Sequence, residues 1–151
     1  MTSSIISKDI ATRFYKLALH TAELFSNECD CINRNGCIMI TKDTFTILST
    51  GVSTCVYSDP SKNINNKMEI LYYVSAVEDA ITSAVKLGGI SLNDSIAIVT
   101  NFPDIYNLKL LIRSGITTIV TPLINNTNTT NNSTNTNYKL LIEPLDIIII
   151  N

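Results

Sequence analysis

Few side chains in this 151-residue chain can do chemistry, and their spacing restricts what that chemistry is. There is one histidine, His20, and no tryptophan, so imidazole chemistry has a single donor. Cys29, Cys31, Cys37 and Cys55 read C-x-C-x5-C plus a distant fourth, which is not the paired C-x2-C spacing of a zinc ribbon. Cys29 and Cys31 fall in a polar stretch that can approach Cys55, so a displaced structural zinc or a redox pair is one reading. Unlinked, reduced thiols are the other, and they suit an intracellular chain. Glu78 and Asp79 are adjacent carboxylates on a predicted helix, where each step turns a side chain by about 100°. Val74, Val77 and Ile81 form the apolar stripe of that helix, which leaves Glu78 and Asp79 on a solvated face. His20 reads as a packing or surface residue of the first helix.

The elements that position these groups follow from periodicity and punctuation. Residues 9–27 form a first helix, with Asp9 as N-cap and Ile10, Phe14, Leu17, Leu24 and Phe25 at helical spacing. The polar segment 26–35 is a loop. Cys37 to Ile40, a turn at Lys42-Asp43, and Thr44 to Ser49 make an antiparallel hairpin. Asp59-Pro60-Ser61-Lys62-Asn63 is a turn-rich loop. A second long helix runs from about Lys67 to Leu87 and stops at Gly88-Gly89. Ser95 to Thr100 is a strongly apolar strand, and Pro103 sits where a third helix begins, with Ile105, Leu108, Leu111 and Ile112 on its buried face. Gly115 ends that helix, and Ile116 to Pro122 is a strand. Short turns on both sides of the helix make a βαβ unit with parallel strands and a right-handed crossover. Asn125 to Asn137 is almost wholly Asn and Thr and reads as a mobile loop. Tyr138 to Glu143 forms the last turns of a short helix, and Asp146 to Ile150 a fifth strand. The order predicts a single α/β domain: a three-layer α/β/α sandwich around one mixed five-stranded sheet.

Composition narrows the class without naming a function. The chain is 45% hydrophobic and 16% charged, with 13 acidic against 11 basic side chains and a net charge of −2. That balance argues against disorder and against a protein that coats nucleic acid or an anionic membrane. The longest purely apolar run, Ile147 to Ile150, is strand-sized and far below the roughly 20 residues of a membrane span. The first residues lack the basic and apolar regions of a signal peptide, so a cytoplasmic location is expected and the Asn-x-Thr/Ser sequons of 125–137 should stay unmodified. Abundant Ile and Asn fit an AT-rich coding sequence, as in some viruses, protists and bacteria, which keeps a viral particle open as a second location.

Several words of the sequence, in order, resemble the cytidine/deoxycytidylate deaminase superfamily. Arg13-Phe-Tyr-Lys-Leu-Ala-Leu-His-Thr-Ala22 looks like its first helix and Asn35-Gly-Cys-Ile-Met-Ile40 like the strand that follows. Thr46-Ile-Leu-Ser-Thr-Gly51 looks like the Ile-Leu-Ser-Thr-Gly before the substrate loop. Ser75-Ala-Val-Glu-Asp-Ala-Ile81 is similar to the His-Ala-Glu-x-x-Ala-Ile helix. Ile98-Val-Thr-Asn-Phe-Pro-Asp-Ile-Tyr-Asn107 is similar to the Val-Thr-x-x-Pro-Cys-x-x-Cys turn, and Ser114-Gly-Ile-Thr-Thr-Ile-Val120 to the strand after it. The likeness covers roughly residues 8–122 and is weaker beyond.

In that superfamily one His and two Cys hold a zinc ion that activates water, and a Glu that is not a ligand moves the proton. Carried over residue by residue, the His position is Ser75, the Glu position Val77, and the Cys positions Asp104 and Asn107. Val77 has no proton to move, and Ser, Asn and one carboxylate are poor substitutes for imidazole and thiolate. No metal ligand and no cofactor is therefore implied. After Gly51 the usual Tyr-Asn-Gly is replaced by Val52-Ser53-Thr54, and Asn33 reads as a turn residue beside the alternative of a sugar contact. The expectation is a catalytically inactive deaminase-like protein, a pseudoenzyme with a binding or structural role. Its expected partners are further copies of itself, an active deaminase, or other subunits of an assembly. The alternatives are a dCMP or cytidine deaminase with unorthodox ligands and a non-catalytic nucleotide-binding sensor.

Overall fold

The computed structural model describes residues 6–25, 34–55, 73–122, 140 and 142–150, with the side chain of residue 55 excepted. The expected loops at 26–33, 59–63 and 125–137, and Asn33, Cys29 and Cys31, lie outside these residues.

The first helix, α1 (Lys8–Phe25), is followed by strands β1 (Gly36–Thr41), β2 (Ile47–Val52) and β3 (Thr54–Cys55). Then come β4 (Tyr73–Val74), α2 (Ala76–Lys86), β5 (Ser95–Val99), α3 (Ile105–Arg113), β6 (Ile116–Pro122) and β7 (Asp146–Ile150). The main sheet is five-stranded in the order β2-β1-β5-β6-β7. β1 runs antiparallel to β2 and β5, while β5, β6 and β7 are parallel. The sheet is thus mixed, as expected from the hairpin and the βαβ unit. Thr54↔Val74 and Cys55↔Tyr73 form a separate two-stranded sheet that the sequence reading does not contain.

Both faces of the sheet are covered, which explains why β1 and β5 are buried at nearly every position. Ile38, Ile40, Ile96 and Ile98 pack on one side with Ala11 and Ala18 of α1. Cys37, Met39, Ala97 and Val99 pack on the other with Val77, Ala80 and Ala84 of α2 and Leu108 and Leu111 of α3. The alternation is the period-two geometry of a strand. Two layers of helices therefore sandwich one sheet.

Several local expectations need correcting. α1 is capped by Ser7, whose hydroxyl accepts from the Ile10 amide at 3.4 Å; Asp9 lies in the first turn and pairs with Arg13 at 2.9 Å. Of the expected apolar face, Ile10 and Phe14 are half-buried against the core, while Leu17, Leu24 and Phe25 are exposed. Ala11, Ala18 and Ala22 face the sheet, while Leu24 and Phe25 are 61% and 65% exposed. Gly36 lets β1 approach α1 closely at Ala18 and Ala22: a Cβ on it would overlap the Ala18 carbonyl oxygen and crowd the Ala22 side chain. α2 starts at Ala76 rather than near Lys67, since Tyr73 and Val74 are extended. β2 lies three residues later than expected, and Pro103 precedes the cap of α3 instead of opening the helix. Among the described residues no helix is long and apolar enough to cross a membrane.

Candidate functional site

Two helices on the same face of the sheet, α2 and α3, start beside the Gly36 end of β1 and the Val99 end of β5, and their first residues face one another. Ser75 is the N-cap of α2. Its hydroxyl accepts from the Glu78 amide at 3.1 Å while Glu78 Oε2 accepts from the Ser75 amide at 2.8 Å, a reciprocal capping box. Asp104 is the N-cap of α3 and accepts from the Asn107 amide at 2.7 Å. The two caps are joined side chain to side chain: Ser75 Oγ donates to Asn107 Oδ1 at 2.7 Å. Ser75, Val77, Asp104 and Asn107 all line one pocket of about 160 Å³. Ser75 and Val77 are buried, and Val77 also belongs to the core with Ala80 and Leu108.

Glu78 and Asp79 do not form a solvated face. Both are half-buried. Glu78 closes the capping box, and Asp79 Oδ2 accepts from the Val52 amide at 3.0 Å, tying α2 to the end of β2. One residue earlier, Gly51 lets β2 approach α2 so closely that an added Cβ would overlap the Ala80 amide and the Ala76 carbonyl. The start of α2 is thus fixed from two sides.

The rest of the pocket comes from residues that the sequence reading does not single out as site residues. Asn35, Tyr73, Asn101 and Phe102 line it. Asn35 and Ser53 exchange hydrogen bonds: the Asn35 amide donates to Ser53 Oγ and the Ser53 amide to the Asn35 carbonyl, both at 2.9 Å. Thr100 Oγ1 accepts from the Gly36 amide at 2.9 Å. Burial pushes the Tyr73 phenol above its ordinary value and the charges of Asp104 and Glu78 push the same way, against hydrogen bonds from Asn35 and Ser53. Tyr73 is therefore a neutral hydroxyl at physiological pH. Its only signal in the sequence is its position two residues before a cap.

No protein-family model and no curated protein matches the chain. Solved structures do. The dCMP deaminase of the cyanophage S-TIM5, in complex with dCMP and dUMP, superposes with a TM-score of 0.65 at 14% identity, over 97% of this chain and 100% of that one. The same enzyme in apo form gives a TM-score of 0.67 at 15% identity. The diaminohydroxyphosphoribosylaminopyrimidine deaminase/5-amino-6-(5-phosphoribosylamino)uracil reductase of Thermotoga maritima gives 0.60 at 19% identity, over 94% of this chain and 36% of that one. This chain has the cytidine deaminase-like fold.

The deaminase resemblance brings with it a zinc ion, which takes nitrogen and sulfur ligands from His and Cys in such sites. Here the corresponding atoms are a hydroxyl, an amide oxygen and a carboxylate. The Ser75 hydroxyl uses its proton on Asn107 and a lone pair on Glu78, and Asp104 Oδ1 accepts from Asn107. This donor set does not fit zinc, which favours softer ligands than three oxygens already engaged in helix caps. Among the described residues no group of three or more His, Cys, Asp or Glu is close enough to hold a metal ion. Cys37 offers no thiolate, because burial, followed by the charge of Asp79, pushes its thiol up to about 12. His20 is exposed on α1 beside Glu23, at 3.9 Å.

Proposed function

We propose that this chain is a catalytically inactive protein on the deaminase fold, a pseudoenzyme whose role is binding or architecture within an oligomer. One observation carries the reading: Ser75, Asp104 and Asn107 are engaged with one another and with the helix ends, while Val77 is apolar and buried. Deamination needs an activated water and a group that moves its proton. A valine side chain supplies no proton, and the capped oxygens leave no ligand set for zinc. Self-association, or pairing with an active deaminase, is supported by the apolar side chains on the two helices of this face of the sheet: Val85 and Leu87 at the end of α2 and Tyr106 on α3 are each more than half exposed. Such residues suit an interface.

The decisive measurement is deamination of dCMP and cytidine by the purified protein, together with metal analysis. No turnover and no stoichiometric zinc are expected. Turnover with zinc that is lost in Asp104→Ala or Asn107→Ala would overturn the reading.

A second reading, a nucleotide-binding sensor, is favoured by the persistence of the pocket with Asn35, Tyr73 and Asn101 on its walls. Its volume weighs against it, since about 160 Å³ is below the roughly 300–1,000 Å³ of small-molecule sites. A thermal-shift series with dCMP and dUMP decides, because a ligand of the native state raises Tm with concentration.

A further inference from the structure

We propose that the Ser75–Asn107 hydrogen bond is a clip that holds the starts of α2 and α3 together by protein atoms alone, at the place where the resemblance puts a metal. This rests on the inactive reading above. Two helix N-termini aimed at one pocket bring together unpaired amides and the positive ends of two helix dipoles. Something negative or hydrogen-bond accepting must lie between them. In this chain Glu78 Oε2, Ser75 Oγ, Asp104 Oδ1 and Asn107 Oδ1 do so, in one connected set running from the Ser75 amide to the Asn107 amide. The joining bond is short, at 2.7 Å, and Ser75 is only 7% exposed. Asn107 is half-buried, and removing either partner leaves the other without this bond. Asn107 is the hinge of the set: its backbone amide serves Asp104 and its side chain serves Ser75.

The test is a double-mutant cycle of Ser75→Ala, Asn107→Ala and the double variant, read as Tm with zinc and with a chelator. Each single variant should lose about 2–4 °C, the size of one hydrogen bond in a domain of this length. Ser75→Ala should lose more, because it also removes a helix cap. The double variant should lose about 2–4 °C less than the sum of the singles. The Tm of the unaltered protein should be the same in zinc and in chelator. If Asn107→Ala does not fold, the milder Asn107→Ser takes its place in the cycle. Strictly additive losses would overturn the clip and leave the inactive reading standing. A wild-type Tm raised by zinc and lowered by the chelator would overturn its metal independence. Measured deamination would overturn the inactive reading whatever the cycle gives.

Discussion

Gly51→Ala is the sharpest test of how the sheet fixes the site. Gly51 pairs with Cys37 and faces α2. A Cβ built on it overlaps the Ala80 amide nitrogen and the Ala76 carbonyl oxygen, and stands 2.8 Å from the Ala80 Cα. Carbon atoms in contact prefer about 3.5–4.0 Å, so α2 would have to retreat by roughly 1 Å. The obstructing atoms are helix backbone, which cannot rotate aside as a side chain does. Overpacking of a core costs about 1–3 kcal/mol, and a contact against backbone belongs at the upper end. A domain of this size loses about 2–4 °C per kcal/mol, so Tm should fall by about 6–12 °C. The sign is what makes the test strict. Without the close approach, alanine in a strand interior would gain about 0.5–1 kcal/mol over glycine. Far-UV circular dichroism of the two proteins through the thermal transition measures the difference. A Gly51→Ala protein as stable as the unaltered one, or more so, would refute the packing of β2 on α2 and with it the placement of Ser75.

Three further outcomes follow from the same structure. Lys42 and Thr117 hydrogen-bond Asp94, at 2.8 and 3.0 Å, and lower its carboxyl below the ordinary value. A lowered folded-state pKa adds stability above the unfolded value of about 3.9 that is lost as pH falls through the folded value. Asp94→Asn should therefore flatten the acid side of the Tm–pH profile, and an unchanged acid side would refute the pairing. Cys37 is fully buried with its thiol pushed up to about 12, so iodoacetamide at pH near 8 should leave it unlabelled until denaturant is added; peptide mass mapping reads this directly, and labelling in the native state would contradict the burial. Finally, the combined Ser75→His, Asp104→Cys and Asn107→Cys changes put one nitrogen and two sulfur ligands on the two helix starts, and metal analysis should find one zinc per chain with a Tm that falls in chelator. Absence of bound zinc would mean that the two helix starts do not meet at ligand distance.

Much of the fold is legible in the sequence where the punctuation is strong. β5, α3 and β6 lie within a residue or two of expectation, because Gly115 ends the helix with a positive φ of 88° and apolar residues recur on the helical period. The failures have particular causes. Leu24 and Phe25 share the helical spacing of Ile10 and Phe14, yet they lie exposed at the end of α1, and spacing alone does not say how far along a helix the covered face extends. The expected start of α2 near Lys67 misses Ser75-x-x-Glu78, the capping box that fixes the helix start at Ala76. Reading that box would also have removed Glu78 from the solvated face. Asp79 was out of reach of any local rule, since its partner is the Val52 amide across 27 residues. Tyr73, Asn35 and Ser53 meet only because a two-stranded sheet forms beside the main one, and nothing local announces two residues of pairing.

The residues at the chemical positions of the deaminase motif follow a local logic of their own. A helix start without a metal needs acceptors for its first amides, and Ser, Asp and Asn are the strongest N-cap residues because short side chains reach back to the second or third amide. Ser75, which the sequence resemblance puts at the His position, caps α2, and Asp104, which it puts at the first Cys position, caps α3. Asn107, at the second Cys position, links the two. The remaining position lies in the first turn of α2, two residues after the cap, between the pocket and the core, and Val77 is 5% exposed there. Each of the four is what helix capping and core packing select when neither metal ligation nor proton transfer is demanded. Zinc chemistry would set the opposite preferences at all four, so their joint agreement with the structural demands supports the non-catalytic role proposed above. Val77→Glu tests that agreement directly: a carboxylate there is taken out of water against the apolar cluster, so it should lower Tm at neutral pH and recover part of the loss as the group is protonated in acid. A Val77→Glu protein of undiminished stability at pH 7 would show that the pocket accommodates a carboxylate at this position.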